Sequence, residues 1–276
     1  MANIKITNYK IKSEINKTIV LISDIHYYSR KDLNKLENIY NKINELKPNY
    51  ICIAGDFIDE ANILDEDLFV FFLKKLAKIC KVVITLGNHD ITVKDKDKGY
   101  VYNDKLFTKI RNIRNLYLLD NETKVIDDIC FIGLNLGFKY YYDNDNGENS
   151  KDFLEAYHLL KKINNKKYNV LLCHSPLVIT EDSVIKALKD INLVLCGHTH
   201  GGLTPTFLQR YLKNRIFISP DKNKFFVNNG YGYLPLNNLD IVISSGITKL
   251  SHASKISNLD FLFKPEIVVI DLINKQ

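Results

Sequence analysis

The 276-residue chain is 46% hydrophobic and 25% charged, the balance of an ordinary globular protein, which excludes disordered, collagen-like and mini-protein classes. Its longest apolar stretches, such as 68–73, stop at Lys74 and Lys75, far short of the roughly 20 apolar residues of a membrane-spanning helix. A net charge of +6, from 38 basic against 32 acidic residues, is too thinly spread to mark a nucleic-acid-binding module.

The N-terminus alternates apolar and polar residues with no hydrophobic segment behind a positive cluster, so no secretory signal is expected and the cytoplasm is the default location. Residues 18–22 form a short apolar run, and Leu33, Leu36, Ile39, Tyr40, Ile43 and Leu46 follow at helical spacing before Pro48. This is a strand and a helix. The unit repeats with a strand over 50–54, a helix through Leu64, Leu68, Phe72, Leu76 and Ile79, and a strand over 82–86. Such β-α repeats predict a mainly parallel sheet with both faces covered.

Beyond residue 115 come extended runs at 116–119 and 129–134, a helix over 153–163, and strands at 170–173 and 193–196. A second sheet is expected, and the runs at 240–244 and 267–272 close the chain in β structure. The expected fold class is therefore α/β in a single domain over 1–276. Residues 140–150 read as a solvated loop, and about 201–234, punctuated by Gly, Pro and Asn, as a long loop insertion. Five cysteines without a C-x-x-C pair fit a reducing compartment, with Cys52, Cys173 and Cys196 read as small buried residues.

The chemistry lies just past the strands. The run at 18–23 leads into Asp24-Ile25-His26, 50–54 into Gly55-Asp56, 82–86 into Gly87-Asn88-His89-Asp90, 170–173 into His174, and 193–196 into Gly197-His198-Thr199-His200. The C-terminal ends of parallel strands converge on one edge, so residues distant in sequence arrive at a common site. Five of the seven histidines are among them. Two Asp, one Asn and several imidazoles, with no thiolate, suit Mn, Fe, Zn or a similar divalent ion better than Ca.

In this order, Asp24-x-His26, Gly55-Asp56-x-x-Asp59, Gly87-Asn88-His89-Asp90, His174 and Gly197-His198-x-His200 resemble the five signature blocks of the calcineurin-like metallophosphoesterases. The resemblance runs from about residue 18 to the C-terminus. The Gly-His-Thr-His-Gly-Gly block, the segment after it and Ser244-Ser245-Gly246 are most similar to the bacterial diesterase branch related to YkuE and YaeI, although Leu203 stands where a Gln is common.

The resemblance implies a four-layer α-β-β-α sandwich of two mixed sheets flanked by helices. It implies two divalent metal ions, Mn favoured with Fe, Zn or Ni as alternatives. Asp24, His26, Asp56 and His200 would hold one ion and Asp56, Asn88, His174 and His198 the other, with Asp56 bridging. It further implies in-line attack of a metal-held hydroxide on a phosphoester, most simply a phosphodiester. His89 would stabilise or protonate the leaving oxygen, Asp90 would hold its imidazole in the useful tautomer, and Asp59 would support the ligands from behind.

His158 and His252 have no motif partner. The natural substrate, nucleic acid and peripheral membrane contact included, and the oligomeric state are left open. The rival expectation is a catalytically silent phosphoesterase-fold scaffold that binds a protein through the same edge. Finally, Arg210, Lys213, Arg215, Lys222 and Lys224, interleaved with Phe207, Tyr211 and Phe217, leave directly from a ligand-bearing strand end. They are expected either to face water or to meet an extended anionic or amphiphilic substrate beyond the reacting phosphate.

Overall fold

Successive side chains of a strand point to opposite faces, so a strand that is apolar throughout must be covered on both. Strand β3 (Tyr50–Ala54) is buried at every position. Ile51 and Ile53 enter a core beneath helices, whereas Tyr50, Cys52 and Ala54 enter a different core on the other face. That division repeats across the molecule. The computed structural model describes residues 4–60, 63–91, 103–142, 149–160, 167–202, 204–212, 214–218, 225–236, 238–248 and 262–274.

The first sheet has the order β1 (Lys5–Ser13), β14 (Glu266–Asn274), β2 (Lys17–Ile22), β3, β4 (Lys81–Thr85) and β5 (Leu116–Leu118). Strands β2 to β5 run parallel, while β14 is antiparallel to β2 and parallel to β1. Helices α1 (Leu33–Leu46), α2 (Glu66–Ile79) and α3 (Asp104–Arg111) cover its outer face. In α1 the buried side is Leu36, Ile39 and Ile43, at the three- and four-residue spacing of one helical face. Each such side chain contributes about 1.5–3 kcal/mol when buried. Lys47 ends the helix in the left-handed region (φ 48°), and Pro48 prevents its continuation.

The second sheet has the order β12 (Gly232–Pro235), β13 (Asp240–Ile243), β9 (Leu193–Cys196), β8 (Tyr168–Cys173), β7 (Ile129–Leu134) and β6 (Glu122–Ile126). Its four central strands are parallel and its two edges antiparallel. Helices α4 (Gly137–Tyr142), α5 (Asn149–His158) and α6 (Asp182–Ala187) lie on the outer side, over a core that includes Cys173 and Cys196. The layers run helix, sheet, sheet, helix. The expected four-layer sandwich is what forms.

Both sheets end their parallel strands at one edge. Thr85 Oγ1, closing β4, donates to the Leu134 carbonyl that closes β7 (3.4 Å), and His174, just past β8, donates to the Ala54 carbonyl that closes β3 (2.7 Å).

Two loop expectations are corrected. Tyr140 is buried within α4 and α5 begins at Asn149, so the stretch read as a solvated loop is helical at both ends, with 143–148 outside the described residues. The long segment after His200 is not structureless either: it contains α7 (Thr206–Gln209), a hairpin of β10 (Ile216–Ile218) and β11 (Phe225–Val227), and edge strand β12. These elements are only three or four residues long, too short for a hydrophobic period to register in sequence. No helix among the described residues is long and apolar enough to cross a membrane.

Candidate metal centre

The loops leaving β2, β3, β4, β8 and β9 bring carboxylates and imidazoles together at the shared edge. Three groups form, each with one ligand atom per residue and all atoms within 4.8 Å of one another: Asp24, His26 and His200; His26, Asp56 and His89; Asp56, His174 and His198. Asp56 and His26 each belong to two groups. Asp56 Oδ2 lies 3.0 Å from His174 Nε2 and 3.7 Å from His26 Nε2, and Asp24 Oδ1 lies 3.4 Å from His200 Nε2. Asn88 is buried between Gly87 and His89.

Each ring is aimed by a bond on its far side. His174 Nδ1 donates to the Ala54 carbonyl (2.7 Å), His200 Nδ1 to the Thr248 carbonyl (2.6 Å), and His26 Nδ1 meets Asp59 Oδ1 at 3.0 Å. A carbonyl can only accept, so in His174 and His200 the proton sits on Nδ1 and Nε2 turns inward. His198 presents Nδ1 instead, 3.1 Å from His174 Nε2.

The donor set fits divalent ions. His26 Nε2 is buried with no hydrogen-bond partner, a costly arrangement for a lone protein atom and a natural one for a ligand. Likewise, two imidazole nitrogens pointed at each other beside a buried carboxylate form a pocket that a cation satisfies better than one shared proton does.

The backbone is bent to make this geometry. Asp24, His26, Asp56, His198 and His200 all have positive φ, between 46° and 70°, in a region that non-glycine residues occupy at a cost. Glycines give the room. A Cβ on Gly87 would fall 2.3 Å from Asp56 Oδ1, and one on Gly197 would fall 2.6 Å from Asp24 Oδ2. Any side chain at either position would displace a carboxylate.

The expectation for Asp90 is corrected. Its Oδ2 accepts the amides of Asp56 (2.7 Å) and Gly87 (2.8 Å), and its Oδ1 that of Ile58 (3.0 Å), so its carboxylate braces the loops that carry Asp56 and Asn88. The His89 ring is held from elsewhere: its Nδ1 donates to the Asp59 main-chain carbonyl at 2.7 Å. Three amide donors lie within reach of a carboxylate two residues past Asn88, and they capture it before the neighbouring imidazole can. Asp59, by contrast, supports His26 through its side chain as expected.

Sequence reasoning missed Thr248 and Tyr141. Thr248 accepts from His200, donates its N–H to the Asp24 carbonyl (2.8 Å) and its hydroxyl to the Ile25 carbonyl (2.8 Å). These bonds to the ligand loops involve main-chain atoms, which leave no residue-type signal. The Tyr141 ring sits 5.4 Å from that of His198, on a short helix in a stretch whose residue pattern reads as a loop. Of the basic segment, Arg210 is exposed and donates to the Tyr211 hydroxyl (2.6 Å), and Arg215 donates to Asn228 (2.8 Å). Lys213, Lys222 and Lys224, like His252, lie outside the described residues.

Burial works against the Asp56 carboxylate, yet His174, and after it His89 and His26, hold it well below the usual carboxylate range. Burial alone would depress His174, but Asp56 and then Asp24 raise it to about 10. His200, in which burial outweighs Asp24, falls to about 4. Burial and then the Asp56 charge push Asp90 up to about 8, against the pull of its amide donors.

The sequence pattern of the family described as calcineurin-like phosphoesterase matches residues 17–202, more than half of the chain and every cluster residue named above. The chain belongs to this family. It is 28% identical over 298 aligned positions to metallophosphoesterase YkuE of Bacillus subtilis, covering 98% of this chain and 85% of that protein. It is also 27% identical over 220 positions to an uncharacterized metallophosphoesterase of Campylobacter jejuni, covering 78% of this chain and 54% of that one. The chain thus spans little more than half the length of the Campylobacter relative. Among solved structures, phosphopantetheinyl hydrolase from Mycobacterium tuberculosis superposes with a TM-score of 0.48 at 13% identity, over 83% of this chain and 89% of that one.

Proposed function

We propose that the chain is a metal-dependent phosphoesterase acting on phosphodiesters. The observation that carries this reading is the pair of acid-imidazole groups, Asp24 with His200 and Asp56 with His174 and His198, joined through His26 and Asp56. Asp24, His26, Asp56 and His200 would hold one divalent ion and Asp56, Asn88, His174 and His198 the other. Mn is favoured, with Fe, Zn or Ni as alternatives. Such ions supply Lewis acidity that activates water at neutral pH and offsets charge gathering on the phosphate.

The chain's own residues then divide the work. Asp56 is fixed from the other side, its Oδ1 accepting the His89 amide at 2.9 Å, so its position does not depend on the ions. The His89 side chain is 40% exposed, against 8% for His26 and none for His174, so it is the imidazole a substrate reaches. With its Nδ1–H turned to the Asp59 carbonyl, Nε2 is the atom left to face the substrate, and a ring protonated on both nitrogens would give the Nε2 proton to the departing oxygen and return to the Nδ1–H form. Diester preference is supported by the resemblance of the Gly197–Gly202 block to the bacterial diesterase branch. We place the activity in one domain spanning the chain and in the cytoplasm, where its five free cysteines would stay reduced.

A purified-protein assay of bis(p-nitrophenyl) phosphate against p-nitrophenyl phosphate, with Mn, Zn, Fe or Ni added, tests this. Faster diester hydrolysis with Mn is expected. Turnover of the monoester alone would overturn the diester preference, and no turnover with any ion would favour the silent scaffold.

Metal loading should also depend on pH. With its pKa raised to about 10 by Asp56, His174 should hold a second proton, on Nε2, at neutrality, while an imidazole ligand must be neutral, so each chain should release at least one proton as it loads. Affinity should therefore rise by about tenfold per pH unit below the His174 value and level off above it. Calorimetry in buffers of different ionisation enthalpy reads the released proton directly, and an affinity flat from about pH 6 to 9 would show that His174 holds no extra proton to release on loading.

A further inference from the structure

A cleft of about 600 Å³ opens at the rim of the sandwich, beside the metal centre but sharing none of its residues. Lys5, Thr7 and Tyr9 alternate along β1 and so face it together. Tyr231 and Tyr233 enter from the start of β12, and Phe207 and Arg210 from α7 and the turn after it.

Strand register puts this cleft on the catalytic edge. Because β14 is antiparallel to β2, with Val268 opposite Leu21, Glu266 lies by the end of β2 from which Asp24 follows, and Lys5 pairs with Glu266. Because β12 is antiparallel to β13, Gly232 pairs with Ile243, just before Ser245.

Two links join the cleft walls to the ligands. A Cβ on Gly201, the residue after His200, would lie 3.0 Å from Gln209 Nε2 in the wall. The fully buried Glu266 accepts from Tyr231 OH (2.7 Å), Lys5 Nζ (3.1 Å) and Thr7 Oγ1 (2.5 Å), and also from the Ser245 amide (2.9 Å). Ser245 leads into Gly246, where a Cβ would lie 2.8 Å from the Asp24 Cβ. The cleft wall is thus one residue from a metal ligand along the first path and three along the second.

Its apolar surface is made of rings, those of Tyr9, Tyr231, Tyr233 and Phe207, and no Leu, Ile, Val or Met among the described residues lines it. Flat walls edged by hydroxyls and amides suit a planar ring with polar edges better than a flexible acyl chain. The charge pattern agrees. Lys5 and Glu266 neutralise each other inside, so the interior favours a neutral group, while Arg210 at the exposed mouth offers a cation. Gly232, at φ 86°, keeps the space open: a Cβ there would lie 2.9 Å from Asn214 Nδ2 and 3.4 Å from Tyr9 OH.

We propose that this cleft binds the second arm of the phosphodiester substrate and that the arm carries a planar, edge-polar ring, as a nucleoside does. The proposal rests on the diesterase reading above and names its substrate class.

Three p-nitrophenyl diesters that share a leaving group test it: the thymidine 5′, methyl and octyl esters. The metal-loaded chain should turn over the thymidine ester with a kcat/KM roughly tenfold or more above the methyl ester, by ring stacking. Phe207→Ala and Arg210→Ala, both at exposed positions, should abolish that preference and leave methyl ester hydrolysis unchanged. Preference for the octyl ester, or equal rates on all three, would overturn the proposal, as would variants that slow every ester alike. If no ester is hydrolysed the diesterase reading fails instead, and the cleft is then tested by calorimetric titration of thymidine 5′-monophosphate against ribose 5-phosphate. Binding of the nucleotide alone, lost in Phe207→Ala, would uphold the cleft, and equal or absent binding would end it.

Discussion

Asp56→Ala should leave a folded chain that has lost most of its metal. The carboxylate is the one group shared by the His26 and His174 clusters, so on the proposed two-ion assignment its removal would take a charged ligand from both ions at once. Partners that merely support a ligand are typically worth 10–100-fold in metal affinity, so a loss of at least about 100-fold is expected here. The loop itself should survive, because Asp90 holds the main-chain amides of residues 56, 58 and 87, none of which depends on the Asp56 side chain. Metal analysis beside far-UV circular dichroism separates the outcomes. A variant that still binds two ions per chain would show that Asp56 does not bridge.

His89→Ala should do the reverse, keeping the ions and losing turnover by about 10²–10⁴-fold, the range of general acid-base help. The main-chain amide of residue 89 that supports Asp56 remains after the substitution, so the metal site keeps its anchor. Loss of both metal and turnover would make His89 a ligand, a role its membership of the His26 and Asp56 group makes worth excluding. Unchanged turnover would remove it from the chemistry.

The legible parts of this protein were those in which residue type and position coincide. Strands β2, β3, β4, β8 and β9 are buried almost throughout, so each read as an apolar run, and each is followed at once by a carboxylate, amide or imidazole. Fold and candidate ligands were therefore visible together. Edge strands were not: β6 buries only its last residue and β1 alternates, so neither presents an apolar run. Contacts through the main chain were hidden as well. Asp90 sits in the motif where a histidine partner was expected, but three amides take its oxygens, and His89 turns to a carbonyl whose residue identity is irrelevant to the bond. The aromatic cleft draws its walls from residues 5–9, 206–214 and 231–233, which no local pattern connects.

The central claim is that this edge is a two-metal hydrolytic site. Chain stripped by a chelator and dialysed should show no hydrolysis of an aryl phosphodiester, and stepwise addition of Mn should restore turnover in proportion to bound metal, reaching a plateau at two ions per chain. Full hydrolysis by the metal-free chain, or a plateau with no metal bound to the Asp24 and Asp56 clusters, would contradict it.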